Sequence, residues 1–342
     1  MHKKITVFNN KGGVSKTTST YHLGWTLANM GYKVLLVDGD PQCNLTELFL
    51  GADFERYYID EATKKHNIKD GSAAPFAGQN TPIQPIDCPH SPRQQNLYLL
   101  PGSLELSEFD RQLSMAMTVP TALQAMSSLP GAMNALIDAV SQKYKIDYVL
   151  IDLNPGVTAI NQAMVVSSDG FIIPTNPDIF CIMALKMLKK VLPEWQNWKH
   201  NNLHVFQNSS YPLPVNAPKF IGTIVQRFNI RNGEPVSAHQ ANIDKINETV
   251  VNELLPTLTS AGMVFSSDDY SKANLMPGYT LAQVRDFTSL GAKSHSYYVP
   301  VFELTDIELE YTGNVLAKAH ERQEDFKATY EKAAQSIVSL LA

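Results

Sequence analysis

The sequence predicts an α/β fold: a mostly parallel, twisted sheet flanked by helices. Short apolar runs rich in β-branched residues alternate with helical stretches along the chain. The first crossover runs strand, glycine-rich turn, helix, strand within residues 5–37. Two such apolar runs end in an acidic residue, Asp38 and Asp152. A crossover of this kind is right-handed and sets its two strands parallel. Strands that read apolar throughout are covered by helices on both faces.

The first strand, residues 5–8, stops at Asn9 and Asn10. Residues 17–30 read as a helix with Leu23, Leu27 and Met30 on one stripe, closed by Gly31. Residues 33–37 form the second strand. The polar stretch from 64 to 95, with several prolines and glycines, reads as an irregular insertion. A strand at 97–100 ends on Pro101 and Gly102, and an apolar helical region at 121–142 leads to a strand at 148–151. Another strand at 170–174 precedes a helix at 179–192. Val205-Phe206 and residues 221–225 are weaker strand signals, and 242–255 reads as a helix. The segment 256–294 is mixed, and 297–302 reads as the last strand of the sheet. Residues 312–340 carry a helical stripe that includes Phe326, Tyr330, Ala333, Ile337 and Leu341. Without a dense Lys/Arg flank, that stripe reads as packed core rather than a membrane anchor.

The 342 residues suit one large domain, and 44% hydrophobic content supports a full core. A formal net charge of -5 gives no general push toward nucleic acid. Cys43, Cys88 and Cys181 are too few and too scattered for a disulfide framework or a zinc site, which points to reduced cytosolic thiols. No apolar run approaches the roughly 18 residues of a membrane span, so no membrane partner is expected. Neither a secretory segment nor a helix-turn-helix module is expected ahead of residue 5.

The strongest local signal is Lys11-Gly-Gly-Val-Ser-Lys-Thr-Thr18, between the first strand and its helix. Gly12 and Gly13 permit dihedrals and a close approach to phosphate that side chains hinder. A chain turning there into a helix aims successive N–H groups at an anion. Lys16 is placed for the β- and γ-phosphates and Thr17 for Mg²⁺. The bland alternative is an ordinary Gly-Gly turn, made less favourable by its place between strand and helix. In a parallel sheet Asp38, Asp40 and Asp152 face the same crevice as this loop, where carboxylates hold metal-bound waters or position an attacking water. Taken singly, each Asp reads equally well as a turn or helix cap.

These pieces together resemble the ParA/MinD family of deviant Walker A ATPases, closest to its ParA/Soj branch. The matching segments are KGGVSKTT at 11–18, DGDPQCNLT at 38–46, YKIDYVLIDLNP at 144–155 and DGFIIPTNPDIF at 169–180. The resemblance implies a P-loop NTPase fold over 1–342, as a single nucleotide-binding domain with insertions near 55–95, 190–215 and 256–294 and a C-terminal helix. It implies ATP and Mg²⁺ as cofactors and slow, partner-stimulated ATP hydrolysis. Lys11, Lys16 and Asp40 would be catalytic: Lys11 reaches the partner subunit's phosphates in an ATP-dependent homodimer, and Asp40 positions the water. Residues Lys11, Gly12, Gly13, Val14, Ser15, Lys16, Thr17 and Thr18 would cradle the phosphates. Thr17, Asp38 and Asp152 would serve the metal, and Gln226 and Arg227 would lie near the adenine. Asn176-Pro177 would help form the dimer face.

The implied function is partition or positioning of a plasmid, chromosome or other cargo, with a ParB-type adaptor and nonspecific DNA as partners. The implied location is cytoplasmic, extending to the nucleoid where DNA is bound. Lys186, Lys189, Lys190, Lys199 and His200 form one modestly basic stretch, and Arg227 and Arg231 another; each reads as a DNA contact or as a solvated face. Three positions depart from the family pattern: Ser15 and Cys43 stand where glycine is usual, and Leu153-Asn154-Pro155 replaces Cys-Pro-Pro. They keep open an alternative, a nucleotide-controlled regulatory interaction module with little or no turnover.

Overall fold

The computed structural model describes residues 2–119, 126–228, 230–231, 234–235 and 237–342, without the side chains at 227, 230, 231, 234, 235, 237 and 238. Seven parallel strands form one sheet in the order β3-β2-β4-β1-β5-β6-β7. They are β1 (Lys3–Val7), β2 (Val34–Gly39), β3 (Leu97–Leu100), β4 (Tyr148–Leu153), β5 (Gly170–Thr175), β6 (Lys219–Phe228) and β7 (Thr280–Arg285). The expected sheet of parallel strands flanked by helices is therefore what the chain forms. Side chains alternate across it with the period of two that strands impose. Leu35, Val37, Val149 and Ile151 enter one core, and Val34, Leu36, Tyr148 and Leu150 the other.

Helices α4 (Ile68–Phe76), α5 (Glu108–Thr118), α6 (Leu129–Tyr144), α7 (Ala159–Val166), α8 (Ile179–Asn201) and α9 (Ser237–Thr249) supply the first core. Helices α1 (Lys16–Asn29), α2 (Asn44–Leu50), α10 (Ser289–Tyr297) and α11 (Gly313–Leu341) supply the second. A short helix α3 (Phe54–Ile59) follows α2 without a fully buried residue of its own. Among the described residues no helix is long and apolar enough to cross a membrane. The stripe expected on the C-terminal helix packs as core: Phe326, Tyr330, Ala333, Ile337 and Leu341 are all buried.

Several boundaries differ from the sequence reading. Val205-Phe206 belongs to a helical turn, Leu203–Phe206, not to a strand. The stretch 297–302 is not the last strand. Tyr297 ends α10, Tyr298 adopts φ 54°, and Val301–Glu303 is a single 3₁₀ turn. Its aromatic and β-branched composition favours a strand, but Pro300 lacks the N–H a ladder needs and the left-handed Tyr298 breaks the extension. The seventh strand is instead Thr280–Arg285, inside the segment that reads as mixed. Helix α4 occupies part of the stretch expected to be irregular, N-capped by Asn67, whose side chain accepts the Asp70 N–H. The helix expected from 121 begins at Leu129 among the described residues, and positions 121–125 lie outside them.

Candidate functional site

Because all seven strands run one way, their C-terminal ends share one edge of the sheet, and ligands of such folds collect there. At the centre of that edge the chain leaves β1 and turns into α1. Asn9, fully buried, holds the turn: its Nδ2 donates to the Pro174 carbonyl at 2.7 Å, and its Oδ1 accepts the Lys11 N–H at 3.0 Å. Val14 is buried beneath the loop. Gly13 takes φ 72°, and Ser15, the residue before the helix, takes φ 57° and ψ 36°. The position where the family uses glycine is thus left-handed, a conformation that costs an L-residue about 1–2 kcal/mol. Cys43, the second departure, has φ 54° at the start of α2.

The two lysines of the loop point apart. Lys16 folds back, donating from Nζ to the Lys11 carbonyl at 3.3 Å. Burial lowers its pKa, against the pull of Asp152 and Asp40. Lys11 reaches outward to Asp178 Oδ2 at 2.6 Å and lies 3.4 Å from Cys181 Sγ. Burial works against its charge, but the Asp178 carboxylate more than offsets this and its pKa is raised. Asp178 is itself the N-cap of α8, accepting the Cys181 N–H at 2.8 Å. Asn176 closes this side by donating to the Gly13 carbonyl at 3.1 Å. The loop at 176–178, expected only by resemblance, therefore packs on the phosphate turn.

On the other side, β2 and β4 pair with Asp38 opposite Asp152. Asp152 accepts the Thr17 hydroxyl at 2.6 Å through Oδ2, while its buried Oδ1 has no hydrogen-bond partner among the described residues. Burial raises its pKa, with Asp38 adding repulsion. A buried carboxylate oxygen left without a donor is costly, and a divalent cation would satisfy it. Thr17 Oγ1 and Asp152 offer two hard oxygens, which fits magnesium: that ion keeps its waters and phosphate oxygens and needs few protein ligands. Asp38 is differently engaged. Its carboxylate accepts the Thr46 N–H at 2.8 Å, the Thr46 hydroxyl at 2.7 Å and the Asp40 N–H at 3.2 Å, and burial pushes its pKa up to about 6. Its oxygens organise the turn after β2, and among the described residues neither is hydrogen-bonded to Thr17. Asp40, nearly buried, accepts the Gln42 N–H at 2.9 Å and stands near enough to Lys16 to attract it.

Beside Ser15 and Thr18 opens a cavity of about 350 Å³. Gln226, from the end of β6, lines it and donates to the Ser19 hydroxyl, tying β6 to the phosphate helix. The Arg227 side chain lies outside the described residues. The opposite wall is Arg285, Asp286, Phe287 and Thr288, at and just beyond the end of β7. Sequence reasoning missed these four because it placed the last strand at 297–302. The recoverable signal was a charged pair closing the apolar-polar run 280–284, the same pattern that marked Asp38 and Asp152. His22, one turn below Thr18, is buried between Phe287 and Tyr330 and donates from Nδ1 to the Thr18 carbonyl at 2.8 Å.

The basic stretch on α8 is divided: Lys190 and His200 are exposed, while its other members are buried or paired. Lys199 is buried, and its Nζ donates to the Val166 and Asn216 carbonyls at 2.8 and 2.7 Å. Lys186 and Lys189 both pair with Glu253, at 3.0 and 2.6 Å. An amphipathic helix turns some of its lysines inward, which composition alone does not reveal. The Arg231 side chain lies outside the described residues.

This chain is similar to the sporulation initiation inhibitor protein Soj of Bacillus subtilis, 29% identical over 55% of this chain and 64% of Soj. It is 25% identical to the cell division protein PomZ of Myxococcus xanthus over 77% of this chain and 81% of PomZ. A putative plasmid partition protein from Borrelia burgdorferi B31, crystallised with AMPPNP, shares the fold, with TM-score 0.57 and 18% identity over 99% of both chains. The chain thus spans less than two thirds of the length of Soj. Residues 2–205, more than half of the chain, match the AAA domain family, and the chain belongs to it, as an ATP-binding P-loop NTPase of the ParA/MinD/Soj-like superfamily related to partition and positioning ATPases.

Proposed function

We propose that this protein is a Mg-ATP-dependent, dimerising ATPase that positions a plasmid, chromosome or other cargo on DNA. The observation that carries the reading is the divergence of the two loop lysines. Lys16 lies over its own phosphate turn, whereas Lys11 stands outside it, at 2.6 Å from Asp178. Beside Lys11, α8 exposes Ile179, Phe180 and Met183, more than half exposed each, with Met187 beyond them. An apolar face flanked by a cation at the mouth of a phosphate site suits a second copy closing over the triphosphate, with Lys11 then serving the partner's phosphates.

In this reading the backbone N–H groups of residues 12–17 and Lys16 hold the β- and γ-phosphates and steady the charge that develops on them. Thr17 and Asp152 hold Mg²⁺, whose bound form neutralises phosphate charge. Asp40 orients the attacking water. Turnover is slow and is stimulated by an adaptor of ParB type, and hydrolysis releases the dimer from DNA. The DNA contact draws on the relatedness to partition ATPases and not on α8, where Lys186 and Lys189 are paired with Glu253 and Lys199 is buried. The protein is cytoplasmic and joins the nucleoid when DNA-bound.

The test combines the purified chain, Mg-ATP and nonspecific duplex DNA over a salt series, recording dimer formation and phosphate release together. Salt-sensitive, ATP-dependent DNA binding that is lost in Lys11→Ala supports the positioning reading. Asp40→Ala is expected to keep the dimer and lose release. A second reading, a regulatory interaction module with little turnover, is favoured by one observation: both glycine-to-larger departures, Ser15 and Cys43, sit at left-handed positions of the two nucleotide-facing turns. A stable ATP dimer that ignores DNA and releases no phosphate would select it.

A further inference from the structure

A second cavity, about 630 Å³, shares no lining residue with the nucleotide-side cavity. It opens at the far end of α2 from Asp38 and Asp40. Its inner wall is aromatic and apolar: Trp25 from α1, Phe49 from α2, Tyr57 from α3, and Tyr298 and Val299 beyond α10. Gly51 and Tyr298 meet at its floor, both with positive φ. A Cβ at Gly51 would stand 2.6 Å from the Tyr298 ring, so the close approach needs glycine. Tyr298 is fastened from behind, where its carbonyl accepts the Tyr21 hydroxyl at 2.9 Å.

The mouth has a different character. Asp53, Arg56 and Asp60, spaced as i, i+3 and i+7 around α3, all line it. Among the described residues neither Arg56 nor Asp53 enters an ion pair, and the Asp60 carboxylate accepts only the Ala62 N–H two residues on. Arg93, on the opposite lip, is already committed to Glu308 at 2.7 Å and to the Glu303 carbonyl. A free cation and free carboxylates therefore stand at the edge of an aromatic cleft whose size is that of small-molecule sites.

We infer that this cavity binds an aromatic zwitterion: a flat unsaturated body against Trp25, Phe49 and Tyr298, an anionic group on Arg56 and an ammonium on Asp53 and Asp60. Aromatic walls select flat bodies by stacking, and charge-assisted hydrogen bonds at the mouth select the two ends. The site is separate from the phosphate turn and stands whether or not the chain hydrolyses ATP.

Three probes share an indole and differ in charge: L-tryptophan (both charges), indole-3-acetate (anion only) and tryptamine (cation only). Their binding to the full chain is measured by equilibrium dialysis and saturation-transfer NMR. L-tryptophan is expected to bind tightest. Arg56→Gln should weaken L-tryptophan and indole-3-acetate about tenfold while sparing tryptamine. Asp53→Asn with Asp60→Asn should weaken L-tryptophan and tryptamine and spare indole-3-acetate. Ala52→Trp, at the exposed rim, should block all three. Mg-ATP binding and the thermal melt, which none of these surface variants should move, confirm a folded chain. The inference is overturned if no probe binds saturably, if binding survives Ala52→Trp, or if the charge variants affect the three probes alike.

Discussion

At Ser15 the chain places a serine where the turn needs a left-handed backbone, φ 57°. The conformation costs about 1–2 kcal/mol for an L-residue, and glycine's extra chain entropy returns about 0.5–1 kcal/mol of that. Ser15→Gly should therefore raise stability by up to about 1.5 kcal/mol, and Ser15→Val, β-branched and intolerant of positive φ, should lower it. Urea unfolding of both variants checks this; the opposite order would deny the left-handed turn. His22 makes a pH prediction. Burial pushes its imidazole down to about 4, only partly opposed by its hydrogen bond to the Thr18 carbonyl, against an unfolded value near 6.5. Between those values the unfolded chain binds the proton first, so stability is complete above about pH 6.5 and falls as pH drops toward 4. From pH 7 to pH 5 the loss from this one group is about 2 kcal/mol. Unfolding in urea at both pH values should show that loss in the wild type and its absence in His22→Phe. At this scale the turn between β1 and α1 was legible in the sequence because its residues are contiguous. The partners that Lys11 and Asp152 find, Asp178 and Thr17, lie 167 and 135 positions away, where no local pattern announces them.

Helix α8 joins two of these distant relations. Its N-cap, Asp178, holds Lys11, and its C-terminal turn carries the buried Lys199. Asparagine caps a helix about as well as aspartate, so Asp178→Asn should leave the melt nearly unchanged while removing the charge that restrains Lys11. If Lys11 serves a second subunit, the variant should form the ATP-dependent dimer at lower protein concentration; sedimentation with and without Mg-ATP decides it. Lys199→Met should instead cost about 1–3 kcal/mol, because the Val166 and Asn216 carbonyls lose their donor. It should leave the salt dependence of any DNA binding untouched. Element type was readable where an apolar run or a helical stretch met a clear stop, as in α1, followed by Gly31, and β2, which ends on Asp38 and Gly39. It failed at 297–302, where aromatic residues suggested a strand that Pro300 and the left-handed Tyr298 forbid, and at Thr280–Arg285, whose Gln283 and Ala282 give a weak β signal to a strand held mainly by its pairing with β6.

Across the whole molecule, the parallel sheet follows from the crossover pattern, but the strand order does not. The chain inserts β4 between β1 and β2, a long-range choice that lets Asp152 face both Asp38 and the phosphate turn. The second core, behind that turn, depends on the last 29-residue helix, Gly313–Leu341, which packs against α1 and β7. Phe326, Tyr330, Ile337, Leu340 and Leu341 are all buried there, and each apolar side chain of this size contributes about 1.5–3 kcal/mol by leaving water. Several such residues together rival the whole net stability of a domain, about 5–15 kcal/mol. Removal of residues 313–342 should therefore abolish the cooperative melt and nucleotide binding together, and Tyr330→Ala alone should cost about 3–5 kcal/mol, as truncations of large aromatic core residues do. A helix serving as a membrane anchor would behave otherwise: the shortened chain would melt as before, keep its affinity for Mg-ATP and lose only its binding to anionic vesicles. Circular dichroism melts and nucleotide titration of the shortened chain separate the two, because only a core helix carries the phosphate turn down with it.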